Sequence, residues 1–122
     1  MSRFITTSQM VGATVLDVLA VTGQYETIEE VHIITDLGLF VADAEADCCG
    51  HAWIDEVEVG TAIGGTITGI NTTDEDSESV DDYGDVRDSF TEVVSTTNGD
   101  MALFSFCEHN GYYSGWINWN RG

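Results

Sequence analysis

Cys48, Cys49 and His51 lie within four residues of one another, and Cys107 and His109 are two apart. Thiolate and imidazole are ligands that zinc prefers, and four of these five side chains would close a tetrahedron. The spacing, C-C-x-H with C-x-H, differs from the C-x2-C of common zinc sites. The bland alternative is that the cysteines are small buried apolar groups and His109 flanks a turn. The same residue types also suit a cysteine nucleophile with a histidine base. A thiolate needs positive surroundings, however, and here acids surround the cysteines. Carboxylate pairs, for instance Asp55, Glu56 or Glu58 with Glu108, are a third candidate. With 22 acidic residues some pair is inevitable and carries little information. No Gly-rich phosphate loop, G-x-S-x-G, HExxH or dinucleotide fingerprint is present.

Charge narrows the classes further. Three arginines and no lysine stand against 22 acids, for a formal charge of −19. Such a surface repels phosphate backbones and anionic membranes, so neither nucleic acid nor a membrane is an expected partner. The charge fits solubility in an acidic proteome, a partner with a basic groove, or imitation of nucleic acid by rows of carboxylates. The run from residue 73 to 88 concentrates it: Asp74, Glu75, Asp76, Glu78, Asp81, Asp82, Asp85 and Asp88 form a candidate interaction surface. That composition predicts a mobile surface loop. Its acids lack the glycine and closing glutamate of an EF-hand.

The elements that position these groups are strands. The chain has 122 residues, 43% of them hydrophobic, which fits a single globular domain over 1–122. No apolar run has transmembrane length, no signal-peptide pattern opens the sequence, and the expected location is cytoplasmic. Two Asn-Gly pairs, Asn98-Gly99 and Asn110-Gly111, predict hairpins joining Phe90–Thr97, Met101–Cys107 and Tyr112–Trp119 into a meander. That register puts Ala102, Phe104, Phe106, Tyr113, Ile117 and Trp119 on one face, read as the core, with Val93 opposite Phe104. Leu103, Ser105, Cys107, His109, Tyr112, Ser114, Trp116 and Asn118 share the other. An earlier hairpin joins Ile28–Thr35 to Leu39–Ala44 around Asp36-Leu37-Gly38. Ala13–Val21 and Thr66–Thr72 read as strands, the first buried on at least one face. Ser8–Gly12 and Val59–Ile63 read as single helical turns stopped by Gly12 and Gly64. Val11–Val15 and Ile63–Ile67 echo one another, read as the same local physics used twice rather than as a duplication. The expected fold is α+β: a twisted antiparallel sheet, largely a meander, with one or two short helices.

Asp47-Cys48-Cys49, Trp53–Val57, Ile63–Ile67 and the run Asn110-Gly111-Tyr112-Tyr113-Ser114 together resemble the small phage and prophage proteins grouped as DUF7448. Gly50 departs from the acidic residue that usually follows the cysteines there, and His51 lies outside that pattern. The resemblance implies a mobile-element origin, hence a host cytoplasm, and no established activity. The first expectation is therefore a non-enzymatic accessory protein. It would bind a host defence or nucleic-acid-processing protein with a basic surface. The second is a binder of a small molecule such as a nucleotide signal, with a pocket near Asp47, Cys48, Cys49, His109, Tyr112, Ser114 and Trp116. The third is a small zinc-binding or cysteine enzyme using Cys48, Cys49, His51, Cys107 and His109. Zinc is the one cofactor considered, and the sequence leaves the oligomeric state open.

Overall fold

The computed structural model describes residues 5–23, 27–47, 50–80, 84–110 and 115–122. Eight antiparallel strands form one curled sheet: β1 (Val15–Thr22), β2 (Ile28–Thr35), β3 (Gly38–Ala46), β4 (His51–Glu58), β5 (Ile67–Ser79), β6 (Val86–Thr96), β7 (Gly99–His109) and β8 (Gly115–Arg121). Their order is β5-β6-β7-β4-β2-β3-β8, with β1 on the other side of β2. This corrects the α+β expectation. The only helical element among the described residues is a 3-10 turn, Thr7–Met10. Its cap is Thr6, whose N–H donates to Gln9 Oε1 at 2.8 Å. Residues 59–64 are turns rather than a helix. Five residues without a strong amphipathic period cannot repay helix nucleation.

The two halves of the chain repeat one design. Thr35 Oγ1 donates to the Gly38 carbonyl at 2.7 Å and accepts from Leu37 N at 3.2 Å. Thr96 Oγ1 does the same with Gly99 and Asn98, at 2.6 and 3.2 Å. Both hairpins are thus two-residue loops closed by a threonine and a glycine. Thr97-Asn98 occupies the second loop, so Val93 faces Ala102 rather than Phe104. Each half begins with a strand that bulges after its first pair, between Val15 and Asp17 and between Ile67 and Gly69.

The halves meet where the sequence echo lies. Thr14 bridges Thr66, with their hydroxyls 3.3 Å apart. Around that bridge every bond has a mate. Val15 N donates to Gly65 O at 2.9 Å and Ile67 N to Ala13 O at 2.8 Å; Gly12 N donates to Ile67 O at 2.9 Å and Gly64 N to Val15 O at 2.7 Å. Gly12 (φ +96°) and Gly64 (φ +91°) take the positive φ that lets the chain turn into this seam. The start of β1 thereby closes against the start of β5. The expectation that the echo reflects only local physics gives way to a pseudo-two-fold arrangement.

The fourth strands are exchanged. β8 pairs with β3 (Ala42 with Trp119, Ala44 with Ile117), and β4 pairs with β7 (Val57 with Leu103, Ile54 with Ser105). The expected β7–β8 hairpin does not form. Its Asn110-Gly111 turn extends outside the described residues, as do Tyr112, Tyr113 and Ser114. The facing of β7 is also the reverse of that expected. Met101, Leu103, Ser105 and Cys107 are buried, while Ala102, Phe104 and Phe106 are half-buried on the outer side. The core gathers Met10, Val15, Val31, Ile33, Phe40 and Ile54 from the first half with Ile67, Val94, Met101, Leu103 and Trp119 from the second.

Two further expectations change. Residues 73–79 continue β5, paired with β6 as far as Ser79 with Val86, so the acidic segment is a β-ribbon and not a loop at those positions. Pairing with Thr91, Ser89, Asp88, Arg87 and Val86 of β6 outweighs the like-charge crowding on one exposed strand. β1 is buried at Val15 but exposes Leu16, Leu19 and Val21. The matching places on β5 hold Thr68, Asn71 and Thr73, so the fold does not require apolar groups there.

Candidate functional site

At the end of the sheet away from the seam, β5, β6, β7 and β8 bring polar groups together. β6 and β7 pair in continuous register from Thr96–Gly99 to Val86–His109. That register places Asp88 opposite Cys107, with His109 two residues further along the same inward face. His109 Nε2 lies 2.7 Å from Asp88 Oδ2, and the imidazole is only 6% exposed. The Ser77 hydroxyl, from the facing position on β5, donates to Asp88 Oδ1. The order is therefore serine, carboxylate, imidazole. A serine nucleophile needs the imidazole in the middle as its base, and these three groups do not supply that.

A cavity of about 450 Å³ opens beside this cluster, lined by Glu75, Asp76, Ser77, Asp88, Phe90 and the Gly115 backbone among others. Among the described residues no basic side chain lines it. A second, of about 290 Å³, has His51, Asp85, Glu108 and His109 in its wall. On the outer face Arg87 donates to Glu108 Oε1 from Nε at 3.0 Å and from Nη2 at 2.5 Å. This hydrogen bond raises the guanidinium's pKa. Arg87 also lies over Trp53 and Phe106, 5.9 and 5.7 Å from the ring centres. Arg121 lies over Phe40. Both described arginines are thus engaged within the fold, and neither neutralises the acidic cavity.

A family model described as a domain of unknown function, DUF7448, matches residues 8–119. The chain belongs to the DUF7448 family. No curated protein and no solved structure matches it.

The site residues read from this DUF7448 sequence are distributed as follows. Cys48, Cys49, Asp81, Asp82, Tyr112 and Ser114 lie outside the described residues. His51 faces outward opposite Glu108, and stacks on Trp53 with ring centres 5.2 Å apart. Cys107 and His109 face inward. Trp116 is exposed on the outer side, across from Glu45, so it does not share a face with His109. Asp47 is exposed. Among the described residues no group of three or more His, Cys, Asp or Glu side chains is placed to hold a metal ion. Ser77, which no motif marks, is what reading the residues alone missed. Arg87 carried one signal, as the only cation in an acidic run.

Burial pushes the Cys107 thiol above its ordinary range, and Asp88, Asp47 and Glu108 add to the shift. The neutral thiol is thus the favoured form at pH 7–8, and thiolate chemistry is suppressed. Cys107 in the folded DUF7448 protein should alkylate with iodoacetamide at pH 8 about tenfold or more slowly than in 8 M urea. Peptide-resolved mass spectrometry separates it from Cys48 and Cys49. Equal rates would restore a reactive cysteine.

Proposed function

We propose that this DUF7448 protein acts by binding, and that its acidic β5–β6 ribbon with the cavity at its foot receives a basic protein surface. The observation that carries this reading is the ribbon itself. Asp74, Glu75, Asp76 and Glu78 stand exposed on the far part of β5, which among the described residues pairs with β6 alone. Glu75 and Asp76 continue into the cavity that Asp88 completes. The ribbon bulges between Thr73 and Asp76, with Asp74 at φ +53°, so its carboxylates spread over both faces of the strand. A groove built for a phosphate backbone, as in a host nucleic-acid-processing or defence protein, therefore meets a concentrated run of negative charge. The excess of carboxylates steers such a partner at long range. The small-molecule reading asks for an enclosed aromatic cavity, whereas among the described residues the two cavities at this end mix acids with polar and small groups, and Phe90 is the one phenylalanine, tyrosine or tryptophan in their walls.

Position separates this from charge alone. In the variant D74N/E75Q/D76N/E78Q the ribbon loses four charges. In D17N/E56Q/E58Q/D100N four exposed acids elsewhere are lost. Affinity for a fluorescent nona-arginine peptide at 50 mM salt should fall about tenfold or more in the first and change less than about threefold in the second. It should also collapse in 500 mM salt. Equal losses in the two variants would reduce the reading to bulk electrostatics.

A further inference from the structure

Where β2 ends its pairing with β3 and meets β4 through Ile28 and Ile54, the sheet forks. A cavity of about 240 Å³ opens at the fork, walled by Glu29, Asp43, His51 and Trp53 over Ile28 and Ala44. We propose that this fork is a binding site for one guanidinium group, the head of an arginine side chain presented by a peptide. The residues differ from those of the acidic ribbon, so the inference stands whether or not the ribbon reading does.

Three observations carry it. Among the described residues the wall has two carboxylates and no lysine or arginine. Asp43 Oδ1 is buried and has no hydrogen-bond partner among the described residues. The Asn118 amide offsets this only in part: burial first, with Glu30 adding to it, keeps the Asp43 carboxyl above its ordinary pKa. A cation in the fork is what this carboxylate lacks. Finally, Trp53 already serves a guanidinium. Arg87 lies over it from β6, and the stacked pair Trp53 and His51, ring centres 5.2 Å apart, gives the fork an aromatic wall. Planar guanidinium stacks on indole and pairs with carboxylate in a way that a hydrated metal ion or a lysine ammonium does not. The volume suits one side-chain head rather than a drug-sized ligand.

Stability and affinity should then move in opposite directions. A carboxyl whose folded pKa is raised above its unfolded value makes folding less favourable once pH exceeds the unfolded value. Asp43→Asn should therefore raise Tm at pH 7, and the gain should fade as pH falls to the ordinary carboxylate range. The same variant should bind N-acetyl-arginine amide about tenfold or more weakly by calorimetry. Trp53→Phe, which keeps an apolar ring, should weaken it too, while E75Q/D76N should not. N-acetyl-citrulline amide, the neutral isostere, should bind at least about tenfold more weakly than the arginine probe. Free arginine should bind less well than the amide, because its carboxylate approaches a chain of charge −19. If citrulline equals arginine, or if Asp43→Asn binds like the parent, the site is overturned. If free arginine is preferred, the ligand is the amino acid and not a peptide side chain, and the peptide assignment fails.

Discussion

Replacing Glu92 by alanine should cost about 3 kcal/mol of folding stability, among the largest effects of any single exposed-to-core test of this chain. Glu92 is only 5% exposed, on the inward face of β6 between Phe90 and Val94. Its two oxygens hold two different donors: Trp119 Nε1 at 3.0 Å and the Thr72 hydroxyl at 2.7 Å. One carboxylate therefore ties β6 to β5 and to the exchanged strand β8. Alanine removes both acceptors and leaves the indole N–H buried without a partner. Each such orphan costs about 1–3 kcal/mol. Glu92→Gln keeps one acceptor oxygen and should lose about half as much. Thr72→Val should lose about 1 kcal/mol. The double variant E92L/W119F removes the polar pair altogether and should recover part of the alanine loss, since matched apolar groups need no hydrogen bond. Urea unfolding measures all four. An alanine variant within about 0.5 kcal/mol of the parent would show that the network is incidental.

Glu92 also shows where the sequence stops being readable. It is one acid among 22, and nothing local separates it from its solvated neighbours. Asp43 and Ser77 were hidden in the same way. Local turn chemistry was legible: the pairs around Asp36-Leu37-Gly38 and Asn98-Gly99 do mark hairpins, because a positive φ must fall somewhere near a glycine. Which strand lies beside which was not. The Asn110-Gly111 pair suggested that β8 returns along β7, yet β8 crosses to β3, a choice settled by contacts far apart in the chain. The facing of β7 was ambiguous for a different reason. Met101, Leu103 and Cys107 on one side and Ala102, Phe104 and Phe106 on the other are both apolar sets, so alternation alone cannot say which is inside. The half-buried phenylalanine at 106 is covered by Trp53 and Arg87 instead of by the core. Of the two segments expected as helical turns, Ser8–Gly12 overlaps the 3-10 turn Thr7–Met10 and residues 59–64 make turns, because each is too short to hold an α-helix by itself. The echo between residues 11–15 and 63–67 was visible, but its meaning lay in hydrogen bonds that only the folded chain makes.

The strand exchange predicts that neither half folds alone. Divided between Glu58 and Val59, the first piece keeps β1, β2 and β3 but loses β8 from the edge of β3. Its β4 keeps a single pair with β2, Ile28 with Ile54, in place of the ladder from His51–Glu108 to Glu58–Ala102. The second piece loses β4 from β7 and leaves β8 with no partner strand. The core is divided as well: Phe40 and Ile33 would face water where Met101, Leu103 and Trp119 had covered them. A piece near 60 residues has little margin to absorb that exposure. Each piece alone should show no dispersed amide spectrum and no cooperative urea transition, a loss of the whole folding free energy of about 5 kcal/mol or more. Mixed in equal amounts, they should regain the native spectrum, because every exchanged pairing is then available again. Both pieces are acidic, so reassembly should be faster at 500 mM than at 50 mM salt. A first piece that folds cooperatively without the second would mean that β4 closes on its own half. In that case the exchange is a consequence of joining two self-sufficient units and not the bond that makes them one.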